Sequence, residues 1–132
     1  MPESPHTAWL AKAANDYLAI QNNINAADVP WDVVCFHAQQ CAEKILKAYL
    51  VLDGRPPQRT HDLNAVLMQC ADITPGLVDL EDDCLSLTTL AVGPRYPDPF
   101  YDPQEEEARE AIAALARLRA RLLPLFPQVG SS

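Results

Sequence analysis

Residues 30–54, PWDVVCFHAQQCAEKILKAYLVLDG, contain the longest regular pattern in the chain. Apolar residues recur there every three or four positions, which is the spacing of one face of an α-helix. Proline suits the first turn of a helix, and the pair Asp53-Gly54 suits its end. The stretch therefore predicts one helix from Trp31 to about Leu52. Its apolar face is formed by Val34, Ala38, Cys41, Ala42, Ile45, Ala48, Tyr49 and Leu52.

The other side of this helix is polar but interrupted by apolar residues. The polar residues are Asp32, Gln39, Gln40, Glu43, Lys44 and Lys47, and the interruptions are Val33, Phe36, Leu50 and Val51. Such a helix is usually covered twice, by its own core and by a partner. We predict that a second subunit covers this side, against the simpler alternative of a solvated face. Gln40, Lys44 and Lys47, with His37 at the edge, are candidate ligand-binding residues.

Shorter helical patterns, separated by loops that contain most of the 12 prolines, fill the rest of the chain. They predict a first helix from Ala8 to about Asn22, capped by Thr7, and a short third helix from Leu63 to about Ala71, capped by Thr60 or Asp62. A fourth helix is predicted from Thr74-Pro75 to about Leu90. The last helix is predicted to follow a capping box at Asp102–Glu105 and to end at about Leu123. No strand pattern competes. The prediction is an all-α, antiparallel up-and-down bundle of four long helices and one short helix. It forms one domain over residues 1–132, with a disordered tail at 127–132.

Charge is unevenly distributed along these 132 residues, whose net charge is −8. An acidic chain is a poor general binder of nucleic acid, because phosphate binding requires lysine and arginine. Between Lys44 and His61, however, four cations face one acid, a balance of +3, whereas Asp72–Glu110 contains 11 acids and two arginines, a balance of −9. This polarity favours an anionic ligand at the basic end or a basic partner at the acidic end.

The four cysteines and three histidines form no metal-ligand pattern, and no two cysteines have Cys-x-x-Cys spacing. We therefore expect reduced cysteines, mostly in the core, with no metal and no cofactor. The first residues, MPESPHTAW, do not resemble a signal peptide, and no apolar run approaches the roughly 20 residues of a membrane span. A cytoplasmic protein without membrane contact is expected.

Three stretches together resemble the HEPN family: FHAQQCAEKILKAYLVLDG at residues 36–54, RTHDL at 59–63 and RYPD at 95–98. Their order and spacing match the family, and the start of the last helix, EEEAREAI, is of the same type. The resemblance implies a helical bundle that is commonly dimeric. Many members act with a minimal nucleotidyltransferase as a toxin–antitoxin pair. Others are metal-independent ribonucleases with an Arg-x(4–6)-His motif.

Arg55 and His61 have five residues between them and so meet the ribonuclease spacing. Histidine can move the proton of a ribose hydroxyl, and arginine can stabilise the phosphate. In catalytic relatives the motif usually lies near the last helix, where this chain has Arg95 followed by Phe100 or Tyr101 in place of histidine. The simpler alternative for His61 is a locally bonded residue in the cap of the third helix.

The proline-rich loop around Arg95 is a second candidate site. Arg95, Tyr96 and Tyr101 can bind a phosphate and stack a base there, and Arg59 adds a cation in the preceding loop. Alternatively, Arg95 pairs with acids of the fourth helix and the tyrosines fill the end of the bundle. Tyr101-Asp102 also resembles the position that a partner nucleotidyltransferase modifies in some relatives.

Three functions remain open on the sequence alone. The favoured one is a homodimeric helical partner of a minimal nucleotidyltransferase, toxin–antitoxin-like and without classical catalysis. The alternatives are a metal-independent endoribonuclease that uses Arg55, His61 and Arg95 at a dimer interface, and a nucleotide- or RNA-binding module without chemistry.

Overall fold

A computed structural model describes residues 4–91 and 102–127. These residues form five α-helices and no strand. The helices are α1 (Pro5–Ile24), α2 (Trp31–Leu52), α3 (Leu63–Ile73), α4 (Glu81–Leu90) and α5 (Glu105–Leu122), with 3-10 segments at Pro75–Leu80 and Leu123–Leu125. The predicted all-α class is confirmed. Of the predicted tail at 127–132, residues 128–132 lie outside the described residues.

The predicted bounds of α2, Trp31 and Leu52, are confirmed at both ends. Its end is fixed by Gly54, whose φ of 80° lies in the left-handed region that favours glycine. This turn lets the Arg55 amide donate back to the Leu50 carbonyl at 2.9 Å. The chain then leaves the helix axis sharply, which starts the loop at residues 53–62.

Side-chain contacts give the direction of α1 against α2. Near the start of α1, Trp9 lies under the Lys47 ammonium late in α2, and farther along α1, Asp16 binds His37 early in α2. The two helices are therefore antiparallel.

α5 runs in the same direction as α2, because its first half places Arg109 over Trp31 and the segment after it places Phe126 against Tyr49. α4 is antiparallel to α5, with Asp83 bound to Arg117. The four helices α1, α2, α4 and α5 thus alternate in direction, as predicted for an up-and-down bundle.

The helix α3, which has 11 residues, lies beside α2. Residues 53–62 lead back along α2, so that the His61 carbonyl accepts from Gln39 at 3.3 Å, and Cys70 in α3 donates its Sγ–H to the Leu46 carbonyl at 3.4 Å. Asp62 caps α3 by accepting from the Asn64 amide at 3.1 Å, which confirms one of the two predicted caps. The return of this loop brings His61 to the middle of α2.

The core surrounds α2, and leucine and alanine side chains dominate it. All four cysteines are buried and free, as expected for reduced core residues. Burial raises the pKa of the Cys35 thiol to about 11 and the pKa values of Cys41, Cys70 and Cys84 to about 12. These thiols are therefore protonated at neutral pH.

Two predicted helix starts are wrong, and a third is correct in position but differs in the type of helical turn. α1 begins at Pro5, with Ser4 as its N-cap, because proline has the φ of a first helical turn, so Thr7 lies inside the helix. The predicted fourth helix begins as a 3-10 segment, whose three-residue turn places the buried Leu77 and Leu80 on one side. The capping box is absent: α5 begins at Glu105, while Pro103 is buried ahead of it.

No helix in the described ranges is both long and apolar enough to cross a bilayer.

Candidate functional site

The carboxylate of Glu43 lies at the centre of a polar network in the middle of α2. It accepts hydrogen bonds from Gln39 Nε2 at 3.1 Å and from Lys47 Nζ at 3.2 Å, and all three residues are buried. Gln40 extends the network by donating to Gln39 Oε1 at 2.7 Å. Because burying a carboxylate is costly unless it is paired, these contacts offset the burial of Glu43 inside the bundle.

His61 joins this network from the loop at residues 53–62. Its Nδ1 lies 3.1 and 3.2 Å from the two carboxylate oxygens of Glu43. An ionised carboxylate only accepts, so Nδ1 carries the proton and donates. The His61 side chain is 63% exposed, whereas that of Glu43 is 5% exposed. A buried carboxylate therefore orients an exposed imidazole, which is an arrangement that can move protons.

A second network lies on the α1 side of the same helix. The buried Asp16 carboxylate accepts from Lys44 Nζ at 2.6 Å and lies 2.8 Å from His37 Nδ1. Together the two networks occupy a polar stripe on α2, which we define as His37, Gln39, Gln40, Glu43, Lys44 and Lys47. Two lysines and two carboxylates balance each other in these networks.

A shallow cleft of about 270 Å³ borders the polar stripe on the α1 side. Ala8, Trp9, Lys12 and Lys44 line it. The Lys47 ammonium also lies 5.9 Å from the centre of the Trp9 ring, which is within the range of a cation–π contact. The cleft thus combines an aromatic face with cations, one of which, Lys44, is already bound to Asp16.

The structure brings together only part of the predicted site. Lys47 and His61 meet at Glu43, Gln40 joins them through Gln39, and Lys44 binds Asp16 in the second network. Arg55 instead binds Asp53 with its Nε at 3.0 Å, near the surface, and Arg59 is exposed in the same loop. The remaining three candidates, Arg95, Tyr96 and Tyr101, lie outside the described residues, as does the alternative in which Arg95 pairs with α4.

Two interpretations from the sequence need correction. Asp62 makes the helix cap, and Thr60 Oγ1 accepts from the Asp62 amide ahead of the helix. The His61 side chain binds Glu43, so His61 is not a locally bonded cap residue. The polar stripe is also not a solvated face. The chain itself buries Gln39, Glu43 and Lys47, because the loop at residues 53–62 and Trp9 lie over them.

Sequence reasoning missed Glu43, Asp16, Gln39 and Trp9 as members of the site. Asp16 had one usable signal, because it is the only acid in α1. The position of Glu43 had no such signal, since an acid four residues before a lysine is typical of an exposed helix. In the described residues no three His, Cys, Asp or Glu side chains are grouped so that they could hold a metal ion.

Fold and site together define a helical-bundle protein whose polar site is built on one central helix. A family model described as the HEPN domain matches residues 6–123. The chain therefore belongs to the HEPN family, as its sequence predicted. No match was found among curated proteins or among solved structures.

Proposed function

We propose that this HEPN protein is a homodimeric helical partner of a minimal nucleotidyltransferase, in a pair of the toxin–antitoxin type, and acts without classical catalysis. The observation that carries the proposal is a surface on which two exposed apolar side chains flank three exposed acids. We call it the acidic surface and define it as Val78, Asp79, Glu81, Asp82 and Leu85.

The geometry of the acidic surface fits a protein partner. Val78 and Leu85 are 41% and 59% exposed. Glu81 and Asp82 lie three and four residues from both of them, so each apolar side chain has acids one helical turn away. Among the described residues, neither Glu81 nor Asp82 forms an ion pair. Two apolar anchors with unpaired acids between them favour a partner that presents basic side chains beside apolar ones.

The pairing inside the polar stripe supports a partner role over nucleotide or RNA binding. Lys44 and Lys47 already bind Asp16 and Glu43. A phosphate would have to displace these carboxylates and leave them unpaired inside the bundle, which costs free energy. The nucleotide- or RNA-binding module is therefore the weakest of the three functions.

The experiment measures binding of the purified protein to the minimal nucleotidyltransferases encoded in its own genome. We expect a complex with the wild-type chain and at least tenfold weaker binding for Leu85→Lys, which removes an apolar anchor and repels basic side chains of the partner. Leu18→Lys is the matched control, because Leu18 is a similarly exposed leucine (52%) on α1. The proposal is contradicted if no such enzyme binds, or if both lysine variants bind like wild type.

A metal-independent ribonuclease is the second candidate, and the Glu43–His61 contact favours it. His61 Nε2 can accept the proton of a ribose 2′-hydroxyl, whose oxygen then attacks the adjacent phosphorus. The bond between phosphorus and the 5′-oxygen breaks, that oxygen takes up a proton from water, and a 2′,3′-cyclic phosphate remains. Glu43 stabilises the imidazolium that forms, and Arg59, two residues before His61, is the cation available in the loop for the phosphate.

This second candidate is tested by incubating single-stranded RNA with the protein in EDTA. A ribonuclease of this kind produces cyclic phosphate ends, and His61→Gln abolishes them. His37→Gln is the matched control, because His37 also contacts a buried carboxylate through Nδ1. If wild-type protein leaves the RNA intact, or if His37→Gln and His61→Gln behave alike, His61 is not the base.

A further inference from the structure

Arg119 differs from the other three arginines of α5, because it has no acid partner among the described residues. The other three form the pairs Arg109–Glu105, Arg117–Asp83 and Arg121–Asp79, with separations of 2.7, 2.8 and 3.9 Å. Those three arginines are exposed, whereas Arg119 is partly buried. A cation that has lost part of its hydration without gaining an anion is unfavourable, so an anionic ligand would stabilise this position.

The surroundings of Arg119 offer no anion. One helical turn away in α5, on either side, the residues are Leu115, Ala116, Leu122 and Leu123. Asp16, the one acid of α1, already binds Lys44 and His37. Burial raises the pKa of the nearby Cys41 thiol to about 12, so this side chain also carries no negative charge at neutral pH.

The donors of Arg119 remain available. Its guanidinium carbon lies 3.8 Å from the centre of the Tyr17 ring, which is the distance of a cation–π stack. Such a stack uses the face of the guanidinium, and the N–H groups point outward in its plane. Among the described residues, none accepts a hydrogen bond from them. Arg119 is thus held on an aromatic ring with its N–H donors unused.

A cavity of about 170 Å³ lies against this stack, between α1, α2 and α5. Apolar side chains such as Leu10 and Ile45 form most of its wall, and Arg119 is the one charged residue that lines it. Ala14, which is exposed, also lines it, so the cavity opens to solvent. None of its lining residues belongs to the cleft at Trp9.

We propose that this cavity binds a small monocarboxylate, whose carboxylate pairs with Arg119 and whose apolar body fills the space against Leu10 and Ile45. The cavity lies outside both the acidic surface and the polar stripe. Its ligand is therefore a function beyond the proposed one, and binding at this site does not depend on a nucleotidyltransferase.

Charge and shape identify the class of ligand. The planar guanidinium matches a carboxylate, to which it can donate two parallel hydrogen bonds. One arginine neutralises one negative charge, so a monocarboxylate leaves no net charge between the apolar walls. A phosphate ester carries about −1.5 to −2 at neutral pH and would retain an unpaired charge there, which is costly.

The volume of the cavity limits the size of the apolar body. An apolar cavity of about 150 Å³ can hold one benzene molecule, so a volume of about 170 Å³ suits a single ring or a short aliphatic chain. Benzoate has this size and is the probe. Because affinity is limited by the number of ligand atoms, we expect a dissociation constant of about 0.1 to about 1 mM.

The first arm of the experiment titrates sodium benzoate into the full chain and follows protein NMR chemical shifts. Arg119→Met keeps an apolar side chain but removes the charge, and it is expected to bind benzoate at least tenfold more weakly. Arg109→Met is the matched control, because Arg109 also lies over an aromatic ring, Trp31, but has Glu105 as its partner. It is expected to bind like wild type. A wild-type chain that does not bind benzoate at about 10 mM, or equal binding by the two variants, overturns the inference.

The second arm leaves Arg119 in place and so does not depend on how well Arg119→Met folds. Ala14→Leu adds a larger side chain at the mouth of the cavity and is expected to weaken benzoate binding at least tenfold. Ala11→Leu is the control, because Ala11 is an exposed alanine of the same helix that does not line the cavity. Wild-type affinity in both leucine variants contradicts binding in this cavity.

The third arm compares ligands on the wild-type chain. Benzamide has the shape of benzoate without its charge, and inorganic phosphate has charge without an apolar body. Both are expected to bind at least tenfold more weakly than benzoate. Equal binding of benzamide would show that Arg119 does not select a carboxylate. Tighter binding of phosphate would show a general anion site, and either result overturns the inference.

Discussion

Two acid–base pairs with the same spacing have opposite surroundings in this protein. Glu43 and Lys47 in α2 are four residues apart, and their side chains are 5% and 8% exposed. Glu105 and Arg109 in α5 are also four residues apart, but they are 55% and 61% exposed. The sequence pattern is the same, whereas the solvent around the charges is not.

The difference shows that the spacing of a charged pair does not determine its energetic role. The α5 pair remains in water, where an ion pair of this kind contributes little. The α2 pair has lost most of its hydration, so each member depends on the other and on Gln39 and His61. Burial therefore converts an ordinary surface motif into the centre of the candidate site.

The largest effect is expected from removing the buried acid. Glu43→Ala leaves the Lys47 ammonium buried without its carboxylate, and such a change typically costs about 3–5 kcal/mol of unfolding free energy. Urea unfolding followed by circular dichroism measures the loss. The double variant Glu43→Leu/Lys47→Met is expected to recover most of it, since an apolar pair of similar size has no unpaired charge. Equal stability of Glu43→Ala and wild type would mean that water hydrates Lys47.

A smaller loss is expected at the α1 network. Asp16→Ala removes the acceptor of Lys44 and His37, whose side chains are more exposed than Lys47 and can be rehydrated. We expect a loss of about 2 kcal/mol, which is in the range of a hydrogen bond to a charged group. The same urea titration measures it. A loss as large as that of Glu43→Ala would show that the two networks are equally dependent on their acids.

The helix α2 was predictable because its periodicity and its terminal signals depend only on neighbouring residues. Trp31, Leu52 and the turn at Gly54 were correct for that reason. The burial of Glu43 was not predictable, since it depends on Trp9 and on His61, which are distant in sequence. A helical pattern indicates which side chains share a face, but it does not indicate what covers that face. The family was recognisable because its motifs are local stretches of sequence.

The third effect extends the comparison to a buried thiol on α2. Burial raises the pKa of Cys41 to about 12, from 9.0 in the unfolded chain. Because the folded pKa is the higher one, this stabilisation is complete below pH 9 and is lost as pH rises from 9 towards 12. One thiol should contribute a slope of about 1.4 kcal/mol per pH unit in that window.

Cys41→Ala should therefore lose stability less steeply with pH than wild type does. Urea titrations at about pH 8 and about pH 10 measure the difference between the two slopes. The absolute stability of the variant is not the readout, because the alanine also changes packing. Identical slopes in the two proteins would show that the Cys41 thiol titrates at its ordinary pKa in the folded chain.

The smallest effect is expected from the exposed pair in α5. Glu105→Ala removes a partner of Arg109 that water readily replaces, and an exposed pair of this spacing contributes about 0.3–0.5 kcal/mol. Glu105 also lies in the first turn of α5, where a negative charge interacts favourably with the helix dipole. Both contributions are screened by ions, so the difference between variant and wild type should shrink further in high salt.

The Glu43→Ala loss should persist in high salt, because ions do not reach a buried pair. If both losses fall equally with salt, the charges in α2 are solvated like those in α5, and the distinction between the two pairs is lost.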